Sequence, residues 1–294
     1  AFGFVAVLKT ATEWLPKNHF PIAIGVATSL GMLGSIFSLV IMAKLKQLIP
    51  MSDILNYTSM LGLGLISISY FMVYDKKRSP RKHHGKKRLE KIIKSFFSII
   101  QTPQIWISGL IGMALFLPTI LFTGFWGMPY LMKVRLIPEE EAGVLLSLSL
   151  WGWIVGSPLS GFISERIQRI RPILTVGSLL CTATLALIFY LPITDTDQLA
   201  AAMFCLGLFS SVEILVFDLS TKSCKRSHAG TAIAVTNMLV MSGALLQTFV
   251  GSQLEKLTEQ AGGIYTEASF QTVFMIMPIV TILAFILTLF IKET

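Results

Sequence analysis

Blocks of roughly twenty apolar residues recur along this chain, separated by short polar stretches, and a helix needs ~20 such residues to cross the hydrocarbon core of a bilayer. Nine stretches qualify: residues 1–15 (ended by Pro16), 21–43, 54–74, 104–124 with apolar residues continuing to Met132, 142–163, 172–191, 198–220, 229–251 and 270–291. Only 14% of the residues are charged, against about a quarter in soluble domains. Lipid is therefore the expected solvent, and the fold class is all-α and polytopic. The short connections predict that helices adjacent in sequence run antiparallel.

The basic residues set an orientation. Lys76, Lys77, Arg78, Arg81, Lys82, Lys86, Lys87, Arg88, Lys91 and Lys94 crowd into one segment after the third span. With that segment cytoplasmic, the loops carrying Arg166, Arg169 and Arg171, and Lys222, Lys225 and Arg226, are also cytoplasmic, as the positive-inside rule requires. The C-terminus is then inside. The net charge of +8 thus belongs to membrane orientation and not to nucleic acid. Within the basic segment, Leu89, Ile92, Ile93, Phe96, Phe97 and Ile100 recur at helical spacing opposite Lys91 and Lys94. That pattern predicts an amphipathic helix on the inner leaflet.

Six spans follow this linker and three precede it, and the chain begins within an apolar run. Many secondary transporters are two six-helix halves joined by a long cytoplasmic loop. The expected organisation is residues 1–74 as the remainder of an N-terminal bundle (helices four to six), 75–103 as the linker, and 104–294 as a C-terminal six-helix bundle. Three helices would then lie upstream of this chain. A genuine nine-span protein is the alternative.

The run Gly161-Phe-Ile-Ser-Glu165-Arg166-Ile-Gln168-Arg169-Ile-Arg171 resembles the G-x-x-x-D-R-x-G-R-x-R loop of the major facilitator superfamily, in the copy that follows the eighth helix. Glu165 stands for Asp and Gln168 for Gly. Glu13-Trp14-Leu15-Pro16 with Phe20 and Gly25 looks like the junction of the fourth and fifth helices. Trp126-Gly127-Met128-Pro129-Tyr130 resembles the outer part of the seventh, and Gly230-Thr231-Ala232 through Asn237 to Gly243 and Gly251 the eleventh. The resemblance spans nearly the whole chain. It implies a multi-pass bacterial inner-membrane transporter, monomeric, that moves a small polar or anionic metabolite with a proton or another co-ion. The fifth helix of antiporters in this family often carries a Gly-Pro pair. Here Ser35 follows Gly34, which favours uptake. Export or exchange, and a transport-dead fragment, are the other readings.

Ionisable residues inside spans are costly and mark pathways or proton relays. Lys9 is a candidate ligand for an anionic substrate group, with Glu13 one turn away as its alternative partner. Glu213 is the candidate proton carrier, being deeper in its span than Asp218, which is the weaker candidate and is placed to meet Lys222 or Arg226. Trp126 is a candidate substrate contact, since the seventh helix lines the cavity in this family. Tyr130 is a second, or else part of an interfacial aromatic belt. Asn237 either faces the cavity or hydrogen-bonds a neighbouring helix. Gly161, Glu165, Arg166, Arg169 and Arg171 form the candidate gating loop, with Glu165 and Arg166 able to pair and the later arginines able to contact a neighbouring helix end. Cys181, Cys205 and Cys224 have no metal-ligand spacing, and no disulfide is expected. No catalytic constellation, cofactor motif or P-loop is present, so an integral membrane enzyme is the rival from another class without support in the residues.

Overall fold

The computed structural model describes residues 2–16, 19–72, 85–191 and 195–293, with the backbone alone at residues 2, 13, 38–44, 46, 47, 72 and 85–92. Residues 75–84 of the basic linker therefore lie outside the described residues, as does the side chain of Glu13 and with it the expected contact to Lys9. The helices in order are α1 (Phe2–Trp14), α2 (Phe20–Leu48), α3 (Met51–Met72), α4 (Gly85–Ile100), α5 (Pro103–Lys133), α6 (Glu139–Ile167), α7 (Arg171–Tyr190), α8 (Thr196–Lys222), α9 (Arg226–Gln260) and α10 (Glu267–Thr288). Eight of them are long and apolar enough to cross a membrane, and α1 is a shorter apolar helix. The amphipathic stretch is α4, which buries Ser95 and Ile99 and exposes Phe97.

Helices α5 to α10 form one bundle whose centre is α5 and α8: their most apolar eighteen-residue stretches are 61% and 67% buried, against 6% for that of α3. Small residues let the central helices touch. A Cβ on Gly152 would fall 2.2 Å from the Phe204 carbonyl oxygen, and one on Gly207 only 1.8 Å from that of Ser149. Glycines at these places allow backbone to pack on backbone between α6 and α8.

Two central helices are interrupted. Helix α5 widens to a π-helix over Thr119–Trp126, directly after Pro118. Proline has no N–H and its ring crowds the preceding turn, and Gly124 and Gly127 follow. The loosened segment is tied to α6 through Trp153 Nε1, which donates to Thr119 Oγ1 at 2.9 Å. Helix α8 tightens to a 3-10 turn over Ser211–Ile214, where Ser211 Oγ donates to the Leu208 carbonyl at 2.7 Å. Serine in such a position competes for backbone carbonyls.

Helix α2 lies antiparallel against α6 as the broadest contact between α1–α3 and the main bundle, while α1 meets α9. The loops bearing Arg166 to Arg171 and Lys222 to Arg226 share one end of the bundle, called the basic face below.

Candidate functional site

Towards the basic face, α2 and α6 approach at three successive levels. Gly161 faces Pro21 and Ile22, and Gly25 faces Ser157 and Pro158; a Cβ at either glycine would stand 2.6 Å from a backbone oxygen. Ser29 Oγ donates to the Ile154 carbonyl at 2.7 Å. The end of the zip is an ion pair, His19 Nδ1 to Glu165 Oε1 at 2.8 Å. Glu165 therefore pairs across the interface and not with Arg166, its neighbour in sequence, because adjacent helical residues point to different sides. Not every polar group in the clamp is satisfied: Thr28 Oγ1, Ser157 Oγ and Glu165 Oε2 are buried without a partner. His19 was not singled out for this role. Counting spans places it on the same face as Glu165, but contact between them is a tertiary fact.

The second half of the loop behaves differently. Gln168 ends α6 in the left-handed conformation, φ 57°, where the family pattern has Gly, and its side chain donates to the Glu165 carbonyl. The chain then turns away from α2. Arg169 and Arg171 line a groove beside Glu293, which follows α10.

A polar centre lies inside the bundle. Glu213 sits in the 3-10 turn of α8 and is 4% exposed. Its carboxylate approaches α5 at Gly112, where a Cβ would be 3.4 Å from Oε1 and would collide with Val216 and Val240. Glycine at 112 thus leaves room for Val216 and Val240, and the carboxylate lies in contact with α5 beside them. Asn237 is also 4% exposed and lies one turn before Val240 on the same side of α9. Thr236 beside it has a buried hydroxyl without a partner. Neither Glu213 nor Asn237 has a hydrogen-bond or ion-pair partner among the described residues. Thr236 and Gly112 carry no charge and gave no signal in the sequence. Asp218 is buried nearer the basic face and accepts from Lys222 Nζ at 2.7 Å.

The remaining candidates stand at other levels. The stem of Lys9 runs beside Gly230, at the basic end of α9, and Lys9 is exposed. Gly230 is ten residues before Val240, so Lys9 is ~15 Å from the Glu213 level along the helix axis. Trp126 ends the π segment with its ring against Gly251, a further eleven residues along α9, and its buried Nε1 has no partner. The structure brings Glu213 and Asn237 to one region and keeps Lys9 and Trp126 on either side of it.

Tyr130 is not on a lipid-facing belt, nor does it face a cavity. It is fully buried, ringed by Phe122, Phe189, Phe270 and Phe274 at centroid distances of 5.4 to 6.3 Å. Its hydroxyl accepts from Arg135 Nε at 3.0 Å. Among the described residues no group of three or more His, Cys, Asp or Glu is placed to hold a metal.

Eight helices long and apolar enough to cross a membrane, packed around a core that holds the buried polar side chains of Glu213 and Asn237, make this a polytopic membrane protein. The family model for the Major Facilitator Superfamily matches residues 1–248, and the chain belongs to that superfamily of secondary transporters. Its fold is that of the crystal structure of a major facilitator transporter, FucP, in the outward conformation: TM-score 0.71, 14% identity, covering 99% of this chain and 72% of that one. No curated protein matches the chain.

Proposed function

We propose that this protein takes up a small polar or anionic metabolite together with protons by alternating access. In this reading the basic face is cytoplasmic, residues 1–74 and 104–294 belong to the two rocking bundles, and 75–103 link them. The α2–α6 zip closes the cytoplasmic side. The observation that carries proton coupling is Glu213: a carboxyl buried in a helix interruption, with no cation and no hydrogen-bond donor against it among the described residues. A buried carboxylate without a partner is costly, and a proton removes that cost. Loading and release of the proton are then tied to whichever bundle movement wets the 3-10 turn. Asn237, unpartnered among the described residues near this level, is available to a polar substrate. Lys9 meets an anionic group nearer the cytoplasmic side, on the exit path.

The clamp supports alternating access energetically. The glycine contacts and the His19–Glu165 pair favour closure, while buried hydroxyls without partners oppose it by ~1–3 kcal/mol each. A joint that balances such terms switches readily.

The test is uptake of labelled amino acids, organic acids, sugars and nucleosides into proteoliposomes under an imposed pH gradient. Accumulation of one compound, lost in Glu213→Gln while unlabelled-for-labelled exchange persists, is the expected result. Accumulation unchanged in Glu213→Gln ends the proton-carrier role. Exchange without gradient-driven accumulation in the native chain turns the reading to an exchanger, and gradient-driven accumulation within inside-out vesicles turns it to an exporter.

A further inference from the structure

The back half of the gating loop opens on a groove of about 450 Å³ between the start of α7 and the end of α10, lined by Arg169, Arg171, Pro172, Thr175, Val176, Leu289 and Glu293. Its polar groups are unequally occupied. Thr175 Oγ1 already bonds the Arg171 carbonyl and Thr288 Oγ1. The Glu293 carboxylate accepts from the backbone N–H groups of Ile170 and Arg171, so the one acidic side chain among the described residues lining the groove is turned to amides. The guanidiniums of Arg169 and Arg171 have no acidic partner among the described residues. Two free forked donors at one site match a phosphate.

The other wall is apolar and continues down the membrane-facing surface. Val176 is 55% exposed and Leu289 47%. Leu179 and Ile286, one turn further along α7 and α10, are exposed too and fall on the same sides. A headgroup-sized basic end thus runs into a hydrocarbon-facing furrow at the level where a helix bundle leaves the bilayer. We infer that this groove docks an anionic phospholipid of the leaflet at the basic face, its phosphate on Arg169 and Arg171 and an acyl chain along Val176 and Leu289. The motif thereby has two duties: Gly161 and Glu165 hold the opposite bundle, and the two arginines hold lipid.

The test reads binding without transport, so it stands apart from the proposed function. The purified chain is washed in detergent, and phosphatidylglycerol or phosphatidylcholine with the same acyl chains is counted by native mass spectrometry. Phosphatidylglycerol is expected to be retained over phosphatidylcholine. The double variant Arg169→Gln/Arg171→Gln should weaken that retention about 30-fold, the product of two basic contacts at an anionic leaflet. Leu289→Gln, with both guanidiniums intact, should weaken it as well. Arg226→Gln, exposed on the other basic loop, should leave it unchanged, and glycerol phosphate should not displace the lipid. Equal retention of the two lipids, full retention in the double variant, equal loss in Arg226→Gln, or complete displacement by glycerol phosphate would each overturn the assignment.

Discussion

Adding one methyl group to the α2–α6 joint should open it. In Gly161→Ala the new Cβ would stand 2.6 Å from the Pro21 carbonyl oxygen, 2.8 Å from its carbon and 3.0 Å from the Ile22 Cα. All three are backbone atoms at the start of α2, so no side chain can swing aside. Overpacking of this kind costs ~1–3 kcal/mol. The cost falls only on the state in which α2 and α6 touch, because the methyl group has space once they part. A penalty of that size shifts the ratio of closed to open molecules by about 5–150-fold. Spin labels at Leu15→Cys and Ile167→Cys, both exposed, report the width of the basic face once Cys181, Cys205 and Cys224 are replaced by alanine. Pulsed distance measurements in nanodiscs should then show a population at longer distance. Gly34→Ala is the internal control, since a Cβ there has nothing within 4 Å. A distance distribution unchanged by Gly161→Ala, or shifted equally by Gly34→Ala, would refute the reasoning.

Glu165→Gln removes the ion pair to His19 but keeps the shape; with His19 60% exposed the pair contributes ~0.2–1 kcal/mol, so the same labels should report a smaller opening than with Gly161→Ala. Tyr130→Ala empties the middle of the aromatic cluster at a cost of ~3–5 kcal/mol, and should lower Tm in detergent by on the order of 10 °C. If Tyr130→Ala instead spared Tm and abolished substrate binding, the aromatic cluster would be a site and not a core. Gln168→Gly relieves a left-handed residue at the end of α6 by ~1 kcal/mol and should raise Tm by a few degrees; a lowered Tm would mean that the side-chain bond to the Glu165 carbonyl outweighs the strain.

The helices were legible because the bilayer imposes their length and apolarity residue by residue. Even α4 announced itself through the spacing of Phe96, Phe97 and Ile100. What one helix presents to another was legible only where a local rule applied. Asp218 and Lys222 are four apart on one helix, and they meet. Glu165 and Arg166 are adjacent, and the pairing expected of them fails because helix geometry separates them. The partner that Glu165 does take, His19, stands just before α2, far away in sequence, and no periodicity encodes that. Tyr130 shows a second limit: tyrosine suits both a membrane interface and a buried cluster, and its surroundings come from α7 and α10. The polar centre was half visible, since a charged residue inside a span stands out and a glycine that lets the helices around it pack closely does not.

The position of the joint along α2 has a mechanical consequence. The closest contacts between α2 and α6 run from His19 to Ser29, while the helix continues to Leu48. The nineteen residues beyond Ser29 form a rigid arm of ~28 Å. A tilt of ~10° about the joint carries the far end through ~5 Å, while atoms at the joint move by tenths of an ångström. The joint therefore acts as a fulcrum near one end of a long beam. Small repacking at the joint, of the order of a single methyl group, is geared up into a displacement of several ångströms at the far end of the helix.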